Sequence, residues 1–399
     1  MNENVRDKWP VAISYLFSHL GYFAITPLLP LVLSGDLGGT PWSVSLLLGL
    51  FVAAVRSSSM FLTNALARLP PRLGVVAAFL LTAIGFGVVG LASSFVLIGG
   101  WILLGAVGIS INGFLTRLTI ANNIQDPSMR LALFARINLC VNAAAVLGPF
   151  FGTVLYESTA YTVVFCTCSM LNAVAAIFAW LLYPEWFSNR VHTDAIEKRS
   201  SWVKALANSL KHKEVRHFFL VSLVLWCAYG SIYTAVPVYL TQLGTSPSFI
   251  GLTFSTAALL AVAAQPVASR FVENRLKAGS SCNALNLHCL PLIAFAMAII
   301  GLSQWYVYLI FAALLLFTIA EVVFVPGLDT VVGGLPTERV TSVNLRQISS
   351  AIGESTGAAM GSLCVKTLAA HNASFIYWLT LSIGLLGMFA LVRHRGKSL

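Results

Sequence analysis

Apolar runs of about twenty residues, each long enough to cross a bilayer core as an α-helix, recur from Val11 almost to the C-terminus of this 399-residue chain. Short polar connections interrupt them. No other feature limits the fold so strongly, because a chain built of such runs has lipid as its main solvent. The expected spans are 10–33, 43–66, 74–93, 96–118, 132–155, 160–183, 216–240, 248–270, 278–301, 304–328, 343–367 and 374–393. The expected fold class is therefore all-α integral membrane, with twelve transmembrane helices.

Composition excludes the main alternatives. With 58% hydrophobic and 10% charged residues and a mean hydropathy of +0.84, the chain cannot be a set of soluble domains. A net charge of +10 would suit nucleic acid if it were clustered, but the basic residues stand singly at the ends of apolar runs. Membrane topology explains them, and no nucleic-acid partner is expected. The seven cysteines lie almost wholly within apolar runs without a CxxC pair, so they read as small buried hydrophobes rather than metal ligands or disulfides. No G-x4-GK[ST] signature is present, which argues against direct use of ATP, and no metal or cofactor is expected. The first apolar segment is too long for a signal sequence and lacks a small-residue cleavage site, so it is expected to be a retained helix.

The basic residues also orient the chain. Arg68 and Arg72, Arg130, Arg275 and Lys277, Arg339 and the tail Arg393, Arg395 and Lys397 fall in alternate short loops, and the opposite loops carry almost none. The longest polar stretch, Pro184 to Val215, holds Arg190, Lys198, Arg199, Lys204, Lys211 and Lys213 on the same side. This places both termini and that stretch in the cytoplasm, in a plasma membrane or bacterial inner membrane. It also divides the chain into a bundle over 1–183, a linker over 184–215 and a second bundle over 216–399.

The halves repeat each other. Pro30 and Pro41 bracket a polar turn, as Pro237 and Pro247 do. Arg68 and Arg270 each end an apolar helix, and Pro127 to Arg130 leads to Arg136 as Pro336 to Arg339 leads to Arg346. Such a repeat is a usual way for a carrier to build two bundles, related by a pseudo-twofold axis, around one central site.

Leu20-Gly21, five residues, Pro27, two residues and Pro30 match the first-helix pattern LG-x5-P-x2-P, and Gly148-Pro149-Phe150-Phe151-Gly152 resembles the core of GP-x2-GG with Thr153 in the last place. On these motifs and the repeat, the whole chain resembles the major facilitator superfamily, in particular its twelve-helix drug:proton antiporter group. The resemblance implies six-plus-six helices, alternating access, and gating roles for Pro27, Pro30, Gly148, Pro149, Gly152, Arg68 and Arg270. Two positions depart from the group. Arg68 stands where its loop between helices two and three has an acid, and Trp101, ahead of Gly105, stands where its fourth helix has an Arg.

A charge at bilayer depth costs at least about 2.5–3.5 kcal/mol and so requires a partner or a wet cavity. Arg56 lies within the second span, Glu321 in the tenth and Glu354 in the eleventh, with His19 in the first. A buried carboxyl or an imidazole can exchange protons near neutral pH, which makes Glu321, Glu354 and His19 the proton-coupling candidates. Each carboxylate could equally be the structural partner of an Arg, and His19 a hydrogen-bonded core residue. Arg56 keeps its charge and suits an anionic substrate or a carboxylate. Trp226, Tyr229 and Tyr233 share one face of the seventh span, where they are either packing or a stacking surface for a planar or cationic solute. Gln347, Ser350, Glu354 and Gly357 share another on the eleventh, with Gly353 and Gly361 beside it. That pattern predicts a helix packed tightly on one side and wet on the other.

The expected function is proton-coupled efflux of a small organic, drug-like solute by a monomeric antiporter surrounded by lipid. Export of one anionic metabolite, such as a siderophore or other metal chelator, is the alternative, since spans one to six hold Arg56 and no Asp or Glu. A receptor or a membrane-embedded enzyme is the reading from another class, although no catalytic constellation stands at the helix ends.

Overall fold

The computed structural model describes residues 9–66, 69–92, 94–124, 126–188, 202–278, 281–332, 334–337 and 339–396. Arg68, Arg190, Lys198, Arg199 and Lys397 lie outside them. The described residues form α1 (Trp9–Ile25), α2 (Leu29–Ser34), α3 (Pro41–Leu66), α4 (Pro71–Gly87), α5 (Phe95–Asn123), α6 (Pro127–Ser158) and α7 (Tyr161–Leu182). They continue with α8 (Trp202–Ser209), α9 (Lys213–Gln242), α10 (Pro247–Lys277), α11 (Cys282–Leu302), α12 (Leu309–Val332), α13 (Arg339–Ala369) and α14 (Ser374–Gly396). No strand occurs among the described residues. The protein is an all-α, multi-pass membrane protein.

Ten of the twelve expected spans fall on helices long and apolar enough to cross a membrane. The other two spans, the first and the eleventh, are instructive. Pro27 and Pro30 divide the first span, since proline supplies no N–H to continue a helix. α1 therefore ends at Ile25, and α2 restarts with Pro30 in its first turn. At the break Thr26 donates from both its N–H (3.0 Å) and its hydroxyl (2.7 Å) to the Tyr22 carbonyl. α13 is too polar for a hydropathy scan, carrying Arg346, Gln347, Glu354 and Lys366 among serines and glycines, yet it runs unbroken for 31 residues. Sequence start signals work elsewhere: Ser94, Asp126 and Ser281 accept from the N–H groups of Leu97, Ser128 and Ala284.

The chain forms two compact units. The first comprises Met1–Gly39, Leu50–Ser200 and Ser246–Ser255, the second Thr40–Gly49, Ser201–Thr245 and Thr256–Leu399. In the first unit α1 packs on α6 and α7, and α4 on α5 and α7. Val11, Val75, Leu133, Ala175 and Ala179 are fully buried there. The start of the polar stretch closes onto this core: Phe187 is 0% exposed, its ring lies 4.7 Å from that of Tyr183, and Asn123 donates to the Trp186 carbonyl at 3.0 Å. In the second unit α9 packs on α13, and α11 on α12 and α14, so the α1–α6, α4–α5 and α4–α7 pairings of the first unit recur.

The long pairs meet along glycine seams. A Cβ on Gly148 would sit 2.8 Å from the Phe23 Cβ and 3.0 Å from the Leu20 carbonyl oxygen, and one on Gly152 2.7 Å from the Ala24 oxygen. On α13, a Cβ on Gly353 would overlap the Leu223 carbonyl oxygen and lie 2.9 Å from the Trp226 Cβ, and one on Gly357 would overlap the Cys227 carbonyl. Gly230 likewise abuts the Glu354 backbone. Small residues at i and i+4 let two helices approach closely, which is how membrane helices gain contact without a hydrophobic driving force between them.

Candidate functional site

In the first unit α1 presents a face of aromatic rings. His19 stacks on Tyr15 at 5.1 Å and 16°, meets Tyr22 edge-on at 6.4 Å and lies 6.1 Å from Phe23. Tyr22 stacks in turn on Phe51 of α3 at 6.4 Å. The His19 Nδ1 stands 3.1 Å from the Tyr15 carbonyl oxygen, which accepts only if that nitrogen carries the proton. Tyr15, Tyr22 and Phe51 were not singled out from sequence. The spacing of 15, 19 and 22 is the one that marked Trp226, Tyr229 and Tyr233, but a lone histidine among them masked it. Arg56 is half-buried in the second half of α3. Pro27, Pro30, Gly148, Pro149 and Gly152 are all buried, and Gly148 and Gly152 pack on α1 through Leu20, Phe23 and Ala24. Arg72 donates from Nε to the Ala179 carbonyl at 3.2 Å and from its guanidinium to Trp180, capping the last turn of α7.

In the second unit α9 carries the longer stack. Trp226 and Tyr229 lie 5.0 Å apart and Tyr229 and Tyr233 4.6 Å. Phe324 of α12 meets Trp226 edge-on at 6.0 Å, and Phe317 lies 6.0 Å from Tyr229. The Arg346 guanidinium caps the stack 4.8 Å above the Trp226 ring, and its Nε donates to Asp329 at 2.9 Å. Asp329 was not among the candidates that the sequence offered. Phe317 and Phe324, two turns apart on α12, were also missed; only their common face could have signalled them.

Gln347, Ser350 and Glu354 follow along α13, where the Ser350 hydroxyl donates to the Gln347 carbonyl at 2.8 Å. Glu354 is only 5% exposed and Trp226 4%. Gly357, grouped by spacing with Gln347 and Glu354, instead belongs to the seam on α9. Glu321 is half-buried on α12, and Arg270 is exposed on α10. No cluster of three His, Cys, Asp or Glu side chains suited to a metal ion occurs among the described residues. The second unit thus offers stacking surfaces, one guanidinium held by a carboxylate, and one buried carboxyl. Such aromatic faces can stack on a planar or cationic ring.

A family model described as the Major Facilitator Superfamily matches residues 11–358. The chain is 22% identical to the multidrug resistance protein MdtH of Cronobacter sakazakii (strain ATCC BAA-894) over 96% of its own length and 93% of that protein's. Among solved structures, a POT family transporter in complex with 5-aminolevulinic acid superposes with a TM-score of 0.80 at 13% identity, covering 98% of this chain and 96% of that one. A bacterial homologue of the human lysosomal transporter Spinster gives 0.74 at 14% identity, covering 97% and 95%.

Proposed function

Because this chain belongs to the major facilitator superfamily and is a transporter rather than an enzyme, we propose that it exports a planar, drug-like organic solute by alternating access, driven by proton influx. The observation that carries this reading is the α9 stack of Trp226, Tyr229 and Tyr233 with Phe317 and Phe324, beside an α13 helix bearing the buried Glu354. Aromatic faces bind planar or cationic rings without demanding one hydrogen-bond pattern. The multidrug name of the curated relative accords with such tolerance.

In this reading Glu354 takes up the proton, with Glu321 and His19 as further stations. Trp226, Tyr229, Tyr233 and Gln347 contact the solute. Pro27, Pro30, Gly148, Pro149, Gly152, Arg68 and Arg270 form the parts of the bundles that rock. The functional division is a bundle over 1–183, a linker over 184–215 and a bundle over 216–399. The protein acts as a monomer in a plasma or bacterial inner membrane, with both termini cytoplasmic, as the loop Lys and Arg pattern supports.

Purified protein in proteoliposomes with an imposed pH gradient tests the reading. The expected result is gradient-driven accumulation of a cationic dye that Glu354→Gln reduces more than about tenfold while dye binding persists, and that Trp226→Ala weakens about tenfold in affinity. Accumulation indifferent to collapse of the gradient overturns proton coupling.

A second reading, export of an anionic metabolite such as a metal chelator, is favoured by Arg56 together with the lack of Asp or Glu in spans one to six. Undiminished transport of anionic chelators by Arg56→Ala removes it.

A further inference from the structure

Away from the α9 stack, at the other end of the same unit, the first turns of α9 and α11 and the last turns of α14 enclose a crevice of about 550 Å³. Its rim carries Lys213, Arg216, His217 and Arg393, and Glu214 is the single carboxylate lining it. Its floor is aliphatic: Leu220, Leu287, Met388 and Leu391. Among the described residues no ion pair engages Lys213, Arg216 or Arg393. The Arg393 guanidinium rests 5.8 Å above the Phe389 ring, which holds its charge at the rim. Ser281 and Asn283 add hydrogen-bonding groups there.

Two features of the crevice bear on what could occupy it. Three cations converge where one acid is present, a cost in self-repulsion unless an anion joins them. Below them Leu220 is 47% and Leu391 50% exposed, so apolar surface of the lipid-facing kind adjoins the cations. The candidate membrane-crossing segments of all three helices end here, at Lys213, Cys282 and His394. Charged residues at the ends of such segments belong at headgroup level, with the aliphatic floor toward the first acyl carbons. Two helix N-termini, those of α9 and α11, open on the same space and add partial positive charge.

We propose that this crevice is a binding site for an anionic phospholipid, its phosphate held by Lys213, Arg216 and Arg393 and one acyl chain laid over Leu220, Leu287 and Leu391. A soluble anion would satisfy the rim and leave the floor bare, whereas a zwitterionic lipid would cover the floor and leave the cations uncompensated. The anionic lipid satisfies both. The site joins α9, which carries the aromatic stack, to α11 and α14, so an occupied site ties those three helix ends together.

The test is native mass spectrometry of the full chain in detergent, titrated with phosphatidylglycerol, phosphatidylcholine or inorganic phosphate. Phosphatidylglycerol is expected to be retained selectively. Combined Lys213→Gln, Arg216→Gln and Arg393→Gln substitution is expected to weaken it about a hundredfold, at roughly one kcal/mol per cation near the surface, and to leave phosphatidylcholine unchanged. Leu391→Trp fills the floor without altering charge and is expected to lower phosphatidylglycerol retention as well, which keeps the proposal testable if the triple variant does not fold. Arg275→Gln with Lys277→Gln, at the exposed end of α10, is the control and is expected to change nothing. Undiminished phosphatidylglycerol retention in the triple variant or in Leu391→Trp overturns the site, as does displacement of the lipid by inorganic phosphate or an equal loss of both lipids. The result bears on lipid alone and leaves the transport reading to its own assay.

Discussion

Gly148 on α6 faces the Leu20 carbonyl, the Phe23 Cβ and the Ala24 nitrogen of α1, and Gly353 on α13 faces the Leu223 carbonyl, the Trp226 Cβ and the Cys227 nitrogen of α9. The partners advance by one constant step along the chain, and Gly152 and Gly357 continue both series against Ala24 and Cys227. The two units therefore share one packing device. They differ at the residue that follows the first glycine, which is Pro149 in one unit and Glu354 in the other. Proline removes a backbone N–H from the helix ladder, while a glutamate keeps that N–H and adds a carboxyl beside the seam. The seam is shared, and the adjacent position is where the halves differ in chemistry.

The same register separates the aromatic faces. Trp226 takes the place of Phe23, Tyr229 that of Thr26 and Tyr233 that of Pro30, whereas the His19 position is filled by Ser222. On α9 the rings run from Trp226 toward the C-terminal end, and on α1 they run from Phe23 back toward Tyr15. The two faces are thus not copies, and their substitutions should have separable effects.

The largest expected effect breaks the likeness of the seams. Gly357→Val drives a side chain into the Cys227 carbonyl, while Gly152→Val meets the Ala24 oxygen at 2.7 Å with less overlap. Overpacking a close helix contact costs about 1–3 kcal/mol. Gly357→Val is expected at or beyond the upper end of that range and Gly152→Val nearer the lower. Thermal unfolding in detergent followed by tryptophan fluorescence ranks them, and equal losses would show the two seams to be equally tight.

A second, smaller effect tests the divergence beside the glycines. Pro149→Ala restores a helical N–H donor, so thermal stability is expected to hold or rise. On the proposed alternating-access mechanism, transport in proteoliposomes is expected to fall about tenfold, because α6 loses the break in its hydrogen-bond ladder that proline provides. Glu354→Gln, which preserves size, is expected instead to leave stability unchanged and to flatten the pH dependence of transport. Interchangeable phenotypes at the two positions would mean that the seam alone matters.

Much of this organisation was legible in the sequence. Ten spans stand out by hydropathy alone, and the first-helix prolines mark the α1–α2 break. The repeat was legible too, but its register was not: Pro30 and Pro237 bracket similar turns, yet they lie about one helical turn off the step set by the glycine contacts. The reason is physical. Turn residues answer to local backbone needs and can shift by a turn, while a glycine in a seam answers to the atom opposite, which the sequence does not name. Asp329 escaped notice for the same reason, since its meaning lies in Arg346 on the next helix. Tyr15 and Tyr22 flank His19 at the same helical spacings of three and four as the α9 rings, but a histidine among them breaks the aromatic pattern that a sequence displays.

The smallest expected effect sharpens the comparison at the polar contacts that α1 makes with α7 and α9 makes with α13. In the first unit the Ser18 hydroxyl donates to Asn172 Oδ1 at 2.8 Å, and the Asn172 amide donates to the Cys168 carbonyl at 2.9 Å. In the second, the Ser222 and Ser349 hydroxyls lie 2.7 Å apart, and Ser349 also donates to the Arg346 carbonyl at 3.0 Å. Side-chain hydrogen bonds between membrane helices average about 0.6 kcal/mol, because the groups find other partners when one is removed. A serine hydroxyl that loses its partner can still donate to its own helix carbonyls, while the buried Asn172 Oδ1 can only accept and is left without the Ser18 donor. A double-mutant cycle with Ser18→Ala and Asn172→Leu is therefore expected to give a coupling near 1 kcal/mol, and one with Ser222→Ala and Ser349→Ala a value near 0.5 kcal/mol. A larger coupling on the α9 side would show that the second seam, already the tighter in its glycines, is also the one its polar contacts hold together.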